Sequence, residues 1–335
     1  MGRAFQGKVV VVTGASAGVG RAAARAFAAH GAHVGLIARG SDGLAAARAE
    51  VESMGGRAIA LPLDVADADA VDDAAERVER ELGPIDVWVN DAMVSVFAPI
   101  IETTPAEFKR VTEVTYLGYV HGTLAALKRM RPRNRGTIVQ VGSALAYRSV
   151  PLQAAYCAAK HAIKGFSESL RTELMHDESG VRVTQVHLPA VNTPQFSWSR
   201  AKLPREPQPV PPIFQPEIMA DAIVRAAAHP KREVWVGWPT VKAILGERVA
   251  PGLADRLLAK RGYESQQRKT PLDPQRRDNL HEPLPGDYGA HGAFDDCARK
   301  HGIQWWLSKH RGVVLTAGCS MLLFFGGVAL RRQLT

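Results

Sequence analysis

Val9-Val10-Val11-Val12-Thr13-Gly14-Ala15-Ser16-Ala17-Gly18-Val19-Gly20 is the stretch on which the fold turns. Four successive β-branched residues without polar alternation describe a strand buried on both faces, the pattern of a parallel sheet covered by helices. Thr13-Gly14 ends the run abruptly, and a helix is expected over 19–30. Between them the glycines let backbone approach a ligand while the first N–H groups of the helix point at it, which suits phosphate. Thr13, Gly14, Ser16, Gly18, Val19 and Gly20 are therefore candidate ligand-loop residues. A glycine turn that merely packs strand against helix is the alternative, but the position directly after the first strand favours the ligand.

Outward from this point strand and helix alternate. Residues 33–39 read as a second strand, whose end is where such sheets bind an adenosine ribose. Ala38 and Arg39 stand there in place of an acidic side chain, so a guanidinium is available for a 2′-phosphate and NADP is favoured over NAD. A solvated charge is the other reading of Arg39. A helix over 41–54 leads to a third strand, 58–63, which ends at Asp64-Val65. Asp64 can accept from an adenine amino group or cap the helix that begins near Asp67. Residues 85–90 form a fourth strand, 105–130 a long helical stretch, and 137–143 a fifth strand ending at Ser143. A helix to His176, a sixth strand over 181–188, a helix over 217–229, a seventh strand over 233–236 and a helix over 241–260, interrupted at Pro251-Gly252, complete the series. Such alternation implies an α/β doubly wound parallel sheet with helices on both faces and ligands at the carboxyl ends of its strands. The proline-rich loop 189–216 carries Phe196, Trp198 and Phe214; it reads as a lid or binding segment, or else as a disordered insertion.

Tyr156-Cys157-Ala158-Ala159-Lys160 places a phenol and an ammonium one helical turn apart. A phenol with a pKa of about 10 moves protons poorly near neutrality, and a neighbouring cation favours its ionised form. With the Ser143 hydroxyl on the same substrate oxygen, the three suit carbonyl reduction or alcohol oxidation. Taken alone, the pair is equally an exposed helix face.

Together these motifs resemble the short-chain dehydrogenase/reductase family over roughly residues 5–240. Thr13 to Gly20 looks like its TGxxxGxG loop, Asp64 like its adenine contact and Asn90 like its fourth-strand asparagine, with Ser143, Tyr156 and Lys160 as its catalytic set. The resemblance implies a seven-stranded Rossmann fold, a nicotinamide cofactor, Lys160 on the nicotinamide ribose, and a homo-oligomer built through the helices after strands four and five. Three departures stand out. Asn90-Asp91-Ala92-Met93 replaces the usual Asn-Asn-Ala-Gly. Thr115 occupies the position of the helical asparagine whose carbonyl holds a water in the proton relay. Pro189-Ala190-Val191-Asn192-Thr193 shortens the usual pattern after strand six, leaving Thr193 to meet the carboxamide.

The composition bounds the rest. With 335 residues, 46% of them hydrophobic and 22% charged, the chain buries a core and is no disordered polymer. The net charge of +9 is spread along the chain without an aromatic-studded basic block, which argues against nucleic acid. Cys157, Cys297 and Cys319 lack metal-ligand spacing and imply a reduced, intracellular protein with no metal site. No apolar leader precedes the first strand, so the catalytic domain is expected in the cytoplasm. Residues 263–312 are rich in Pro, Asp, Arg, Gly and His and read as a linker or loosely packed extension. Residues 313–330 carry no charge and as a helix span roughly 27 Å, the length of a membrane anchor flanked by Trp305, Trp306, Lys309, Arg311, Arg331 and Arg332. A buried helix or an arm around a second subunit is the alternative. The lid and this tail together suggest a lipophilic small-molecule substrate at a membrane surface. The rival to an enzyme is a membrane-tethered scaffold of the same fold, motivated by Asp91, Met93 and Thr115.

Overall fold

The computed structural model describes residues 4–310. Seven strands, β1 (Val9–Thr13), β2 (His33–Ala38), β3 (Ala58–Pro62), β4 (Ile85–Asn90), β5 (Gly136–Ser143), β6 (Val181–Leu188) and β7 (Glu233–Trp235), form one sheet in the order β7-β6-β5-β4-β1-β2-β3. Every neighbouring pair is parallel. The valine run of β1 explains how both faces are covered. Val10 and Val12 join one core layer with Phe27 of α1 (Gly18–Ala29), Leu44 of α2 (Ser41–Ser53) and Ile223 of a helix at Pro216–Ala228. Val9 and Val11 join the opposite layer with Val78 of α3 (Ala68–Leu82), Val111 of α4 (Pro105–Thr112), Ala126 of α5 (Gly118–Met130) and Leu170 of α6 (Ala154–His176). Two helical layers thus enclose the sheet. The crossover direction reverses between β1 and β4, and the crevice at their carboxyl ends is where such sheets bind ligands.

Three local features bear on the sequence expectation. The stretch over 105–130 is two α-helices joined by a π-helical turn, Glu113–Leu117, with Thr115 at its centre. The last helices are α8 (Trp238–Val249) and α9 (Pro251–Ser265), after α7 at Pro216–Ala228, and they separate at Ala250 because Pro251 has no N–H to continue the ladder. The lid is ordered: Arg200–Ala201 pairs with Val96–Phe97, and Arg205–Pro207 pairs antiparallel with Gln267–Pro271. Glu107 of α4, 4% exposed, accepts from Lys202 Nζ at 2.8 Å and Arg200 Nη1 at 3.4 Å, clamping the lid to the core.

The expectation of a linker over 263–312 is corrected. Leu280, Phe294, Ala298 and Trp305 are buried, and α10 (Ile303–Lys309) packs on α7 through Trp305 Nε1 and Lys309 Nζ, both donating to Asp221. A segment poor in apolar residues orders here because these few are buried and its carbonyls and carboxylates meet Arg21, Arg39 and Arg110. The apolar run 313–330, expected as a C-terminal helix, lies outside the described residues. Among the described residues no helix is long and apolar enough to cross a membrane.

Candidate active site

A cavity of about 450 Å³ opens along the carboxyl ends of the strands. It runs from Arg39, Asp64 and Val65 past Gly14, Ser16, Gly18 and Val19 to Ser143, Tyr156, Lys160 and Thr193, and on to Phe196 and Trp198 of the lid. Phe214 instead turns into the core. The loop after β1 is shaped by close backbone approach: Gly14 has φ +72°, and a Cβ there would lie 2.9 Å from the Ala92 Cα. Ser143 ends β5, and its hydroxyl is hydrogen-bonded to Tyr156 and accepts from the Leu145 amide at 3.1 Å. Burial pushes the Tyr156 phenol above its ordinary pKa, Cys157 adds to the rise, and the Ser143 bond pulls the other way. A neutral phenol in this position is a proton donor for an oxygen entering the cavity.

Lys160 is placed differently from the sequence expectation. Its buried ammonium donates to Tyr119 Oη at 2.9 Å and the Val141 carbonyl at 2.8 Å, and lies 5.5 Å from the centre of the Tyr156 ring. A buried ammonium needs acceptors for its protons, and these two are within reach where the Tyr156 oxygen is not engaged. Tyr119 donates in turn to the same carbonyl at 3.0 Å. No sequence motif marked Tyr119; a tyrosine one position into α5 looks like any core aromatic.

Asp91 is the other unexpected neighbour. Its carboxylate accepts from the Gly20 amide near the start of α1, and burial raises its pKa to about 6 while the Lys160 charge lowers it. Burial lowers Lys160 to about 8, opposed by Asp91. The charge on Asp91 thus links the ligand loop to the lysine.

Four of the sequence candidates act behind the cavity wall rather than on it. Asn90, fully buried, accepts from Trp88 Nε1 at 2.8 Å and donates to Gln140 Oε1, Thr123 Oγ1 and the Tyr119 carbonyl, so its amide is consumed in joining β4 to β5 and α5. Thr13 Oγ1 accepts from the Asp91 and Ala92 amides at 3.0 and 3.1 Å and sets the turn after β4. Gly20 has no room for a Cβ, which would lie 2.4 Å from the Gly14 carbonyl oxygen. Thr115 Oγ1 donates to the Val94 carbonyl at 2.8 Å and accepts from its amide at 3.1 Å. The π-turn on which Thr115 sits is the distortion that threonine left in doubt, and such turns cluster at functional sites.

The adenosine end is already engaged by protein groups. Arg39 donates to the carbonyls of Asn279, Leu280 and His281, the last at 2.6 Å. Asp64 pairs with Arg110 and accepts from the Ala66 amide at 3.0 Å. Arg21, 2% exposed, donates to Glu50 and Asp287, each at 2.8 Å, and to the Ser16 and Gly43 carbonyls, each at 3.0 Å. Sequence reasoning missed Arg21, whose only signal was a charged residue among the alanines of α1. One continuous cavity from Arg39 through the glycine loop to Tyr156 presents in order the surfaces an extended dinucleotide requires, so the residues present fit that group.

Comparison with known proteins agrees. The sequence profile of the short chain dehydrogenase family matches residues 8–203. An uncharacterized oxidoreductase, YxnA, of Bacillus subtilis is 34% identical over 277 residues, 82% of this chain and 78% of that protein. A fatty acyl-CoA reductase of Acinetobacter baylyi is 32% identical over 230 residues, 68% of this chain and 75% of that protein. The crystal structure of a metagenomic short-chain oxidoreductase in complex with NADP superposes with a TM-score of 0.59 at 30% identity, covering 70% of this chain and 98% of that one. With its parallel seven-stranded sheet and its cavity at the strand ends, the chain is an oxidoreductase that belongs to the short-chain dehydrogenase/reductase family.

Proposed function

We propose that the protein interconverts an alcohol and a carbonyl with NADP as the hydride partner. The observation that carries this is the hydrogen-bonded Ser143–Tyr156 pair beside buried Lys160 in a cavity continuous with the glycine loop. When bound, the nicotinamide gives or takes the hydride. In the reductive direction Ser143 orients the substrate oxygen and Tyr156 delivers the proton; in the oxidative direction Ser143 keeps that role and the ionised Tyr156 oxygen takes the proton from the alcohol. Lys160, held by Tyr119 and Val141, keeps positive charge beneath the ring of Tyr156 and faces the side from which a nicotinamide ribose would approach.

The preference for NADP rests on Arg39 and on Ala38 standing at the end of β2 in place of an acidic residue. The named NADP complex of the structural relative is consistent with it. Exchanging Arg39 for Ala is expected to weaken NADPH more than NADH, each tenfold corresponding to about 1.4 kcal/mol. An equal loss for both nucleotides would mean that Arg39 serves only to hold the carbonyls of Asn279, Leu280 and His281.

The substrate is proposed to be lipophilic. Phe196 and Trp198 line the cavity beyond Tyr156, together with Val210, Pro239 and Ala243, and one relative is named for a fatty acyl substrate. The experiment follows NADPH oxidation against aldehydes and ketones of increasing chain length; rates that do not depend on length remove the lipophilic reading, and binding of NADPH without turnover of any carbonyl removes the reaction. A membrane-surface location, with the catalytic domain in the cytoplasm, belongs to the same proposal and rests on the apolar sequence 313–330. Truncation after Arg311 is expected to release the protein from membranes. Assembly as a homo-oligomer is supported by the exposed Leu124 on α5 and Met175 on α6.

A further inference from the structure

Beyond α9 the chain turns back across the adenosine end of the cavity. The Leu280 carbonyl accepts from Arg110 Nε at 3.0 Å, in addition to the three carbonyls on Arg39. The Gly286 amide donates to Asp42 at the start of α2 at 2.7 Å, Asp287 meets Arg21, and the Gly289 carbonyl accepts from the Gly18 amide at 3.1 Å. The Tyr288 ring stands edge-on to Trp198 of the lid with centroids 4.7 Å apart. These contacts reach four of the elements that frame the adenosine half: the start of α1, the end of β2, the start of α2, and α4. Asn279, Pro283, Leu284, Gly286 and Tyr288 are themselves part of the cavity wall. All lie beyond residue 203, where the family match ends.

We infer that segment 279–289 is a built part of the dinucleotide site, a strap forming the outer wall of its adenosine half, which retains the nucleotide and parts for its release. The inference rests on the dinucleotide reading above. Leu280 seats the start of the strap in the apolar core and the Asn279 amide donates to the Trp198 carbonyl of the lid at 2.9 Å; beyond Leu280 the strap is fastened by polar groups to the same loop and arginines that would face the nucleotide, and by the Tyr288–Trp198 ring contact. Charge-assisted bonds of that kind are strong when closed and exchange readily with water when opened, whereas an apolar seam would not. A wall that must move for a ligand to leave sets the rate of exchange in both directions, so its loosening accelerates release and uptake together.

The test uses the full chain and two variants, Asp287→Ala, which removes the strap's anion from Arg21, and Asp42→Ala, which removes the acceptor of the Gly286 amide from outside the strap. Stopped-flow nucleotide fluorescence gives association and dissociation rate constants for NADPH. Asp287→Ala is expected to speed dissociation by about tenfold, the scale of losing one charge-assisted bond, with a smaller acceleration in Asp42→Ala and faster association in both. Bound NADPH is also expected to slow tryptic cleavage after exposed Arg277 in the wild type, and less so in the variants. Rate constants within twofold of wild type in both folded variants would overturn the inference. So would faster association with unchanged dissociation, because the strap would then compete with the nucleotide rather than retain it. A wild-type chain that binds no NADPH would remove the dinucleotide reading itself, a result distinct from either.

Discussion

The two ends of the cavity are built from different material. At the Tyr156 end the reacting groups stand on regular elements: Ser143 closes β5, Tyr156 and Lys160 share one turn of α6, and Tyr119 sits on α5. At the Arg39 end the wall is an irregular segment from late in the chain, tied by carbonyls to half-buried Arg39 and by a carboxylate to buried Arg21. Side chains on helices and strands inherit the precision of a packed core. A strap held by polar bonds gives less precision and more freedom to open. On the function proposed above, the difference separates chemistry from nucleotide exchange, and each is expected to be open to perturbation without the other.

The largest effect is expected at the first end alone. Tyr156→Phe keeps the ring against Lys160 and removes the proton donor, so kcat should fall by about a hundred- to ten-thousand-fold. Affinity for NADPH should remain near wild type. Steady-state rates together with fluorescence titration separate the two quantities. A variant that turns over at the wild-type rate would take the proton transfer away from Tyr156, and one that loses nucleotide binding equally would mean the two ends are not independent.

A smaller effect is expected where the lid joins the core. Glu107 is held at about 2, because the Lys202 and Thr104 hydrogen bonds outweigh the cost of burying its carboxylate. A folded-state pKa below the unfolded value contributes stability that is fully present above the ordinary glutamate range and is lost as pH falls through about 2. Glu107→Gln should therefore cost about 2 kcal/mol at pH 7, and the gap in Tm from wild type should narrow below pH 4.5. Thermal scans at neutral pH and at the lowest pH where both proteins fold refold-reversibly check the sign. A gap independent of pH would trace the loss to packing instead of charge.

The same contrast decides what was legible in the sequence. Periodicity and turn residues placed all seven strands of the sheet, because most bury apolar residues locally and several end at a residue that breaks the run, Gly14 after β1, Asn90 in β4 and Ser143 in β5 among them. Tyr156, Lys160 and Ser143 were readable because helical and strand spacing fixes where their side chains go. The Lys160 partners were not, since the choice between the Tyr156 oxygen and Tyr119 depends on how α5 meets α6 across 41 residues of sequence. Asn90 and Thr13 were read as ligand contacts, whereas both spend their polar atoms inside the protein, on partners 50 and 78 residues away. The strap was the hardest to see. Its cohesion comes from arginines at positions 39 and 110 meeting carbonyls, and Arg21 meeting the Asp287 carboxylate, more than 160 residues later, and composition alone presents such a segment as a linker.

Asp91 sits where the two ends meet, and its replacement gives the smallest and most diagnostic expected change. Its carboxylate caps the Gly20 amide on the ligand-loop side and faces Lys160 on the other, in a place where the family usually carries asparagine. Asp91→Asn keeps the acceptor for Gly20 and removes the charge. Because Asp91 raises the Lys160 pKa against the pull of burial, the variant's lysine should lose its proton at lower pH than in the wild type. If the ammonium is needed for turnover, the alkaline limb of kcat/KM moves down in pH, and an acid inflection near 6 disappears with the carboxyl that produced it. Stability moves in the matching direction. A carboxyl whose folded pKa is raised contributes most below its unfolded value of 3.8, and that contribution is lost as pH rises through about 6. Asparagine has no such slope, so Asp91→Asn should gain in Tm relative to wild type between pH 4 and pH 7. A pH profile and a Tm difference that both stay fixed across that interval would show that Asp91 carries no charge there, and that the loop and the lysine are electrostatically separate.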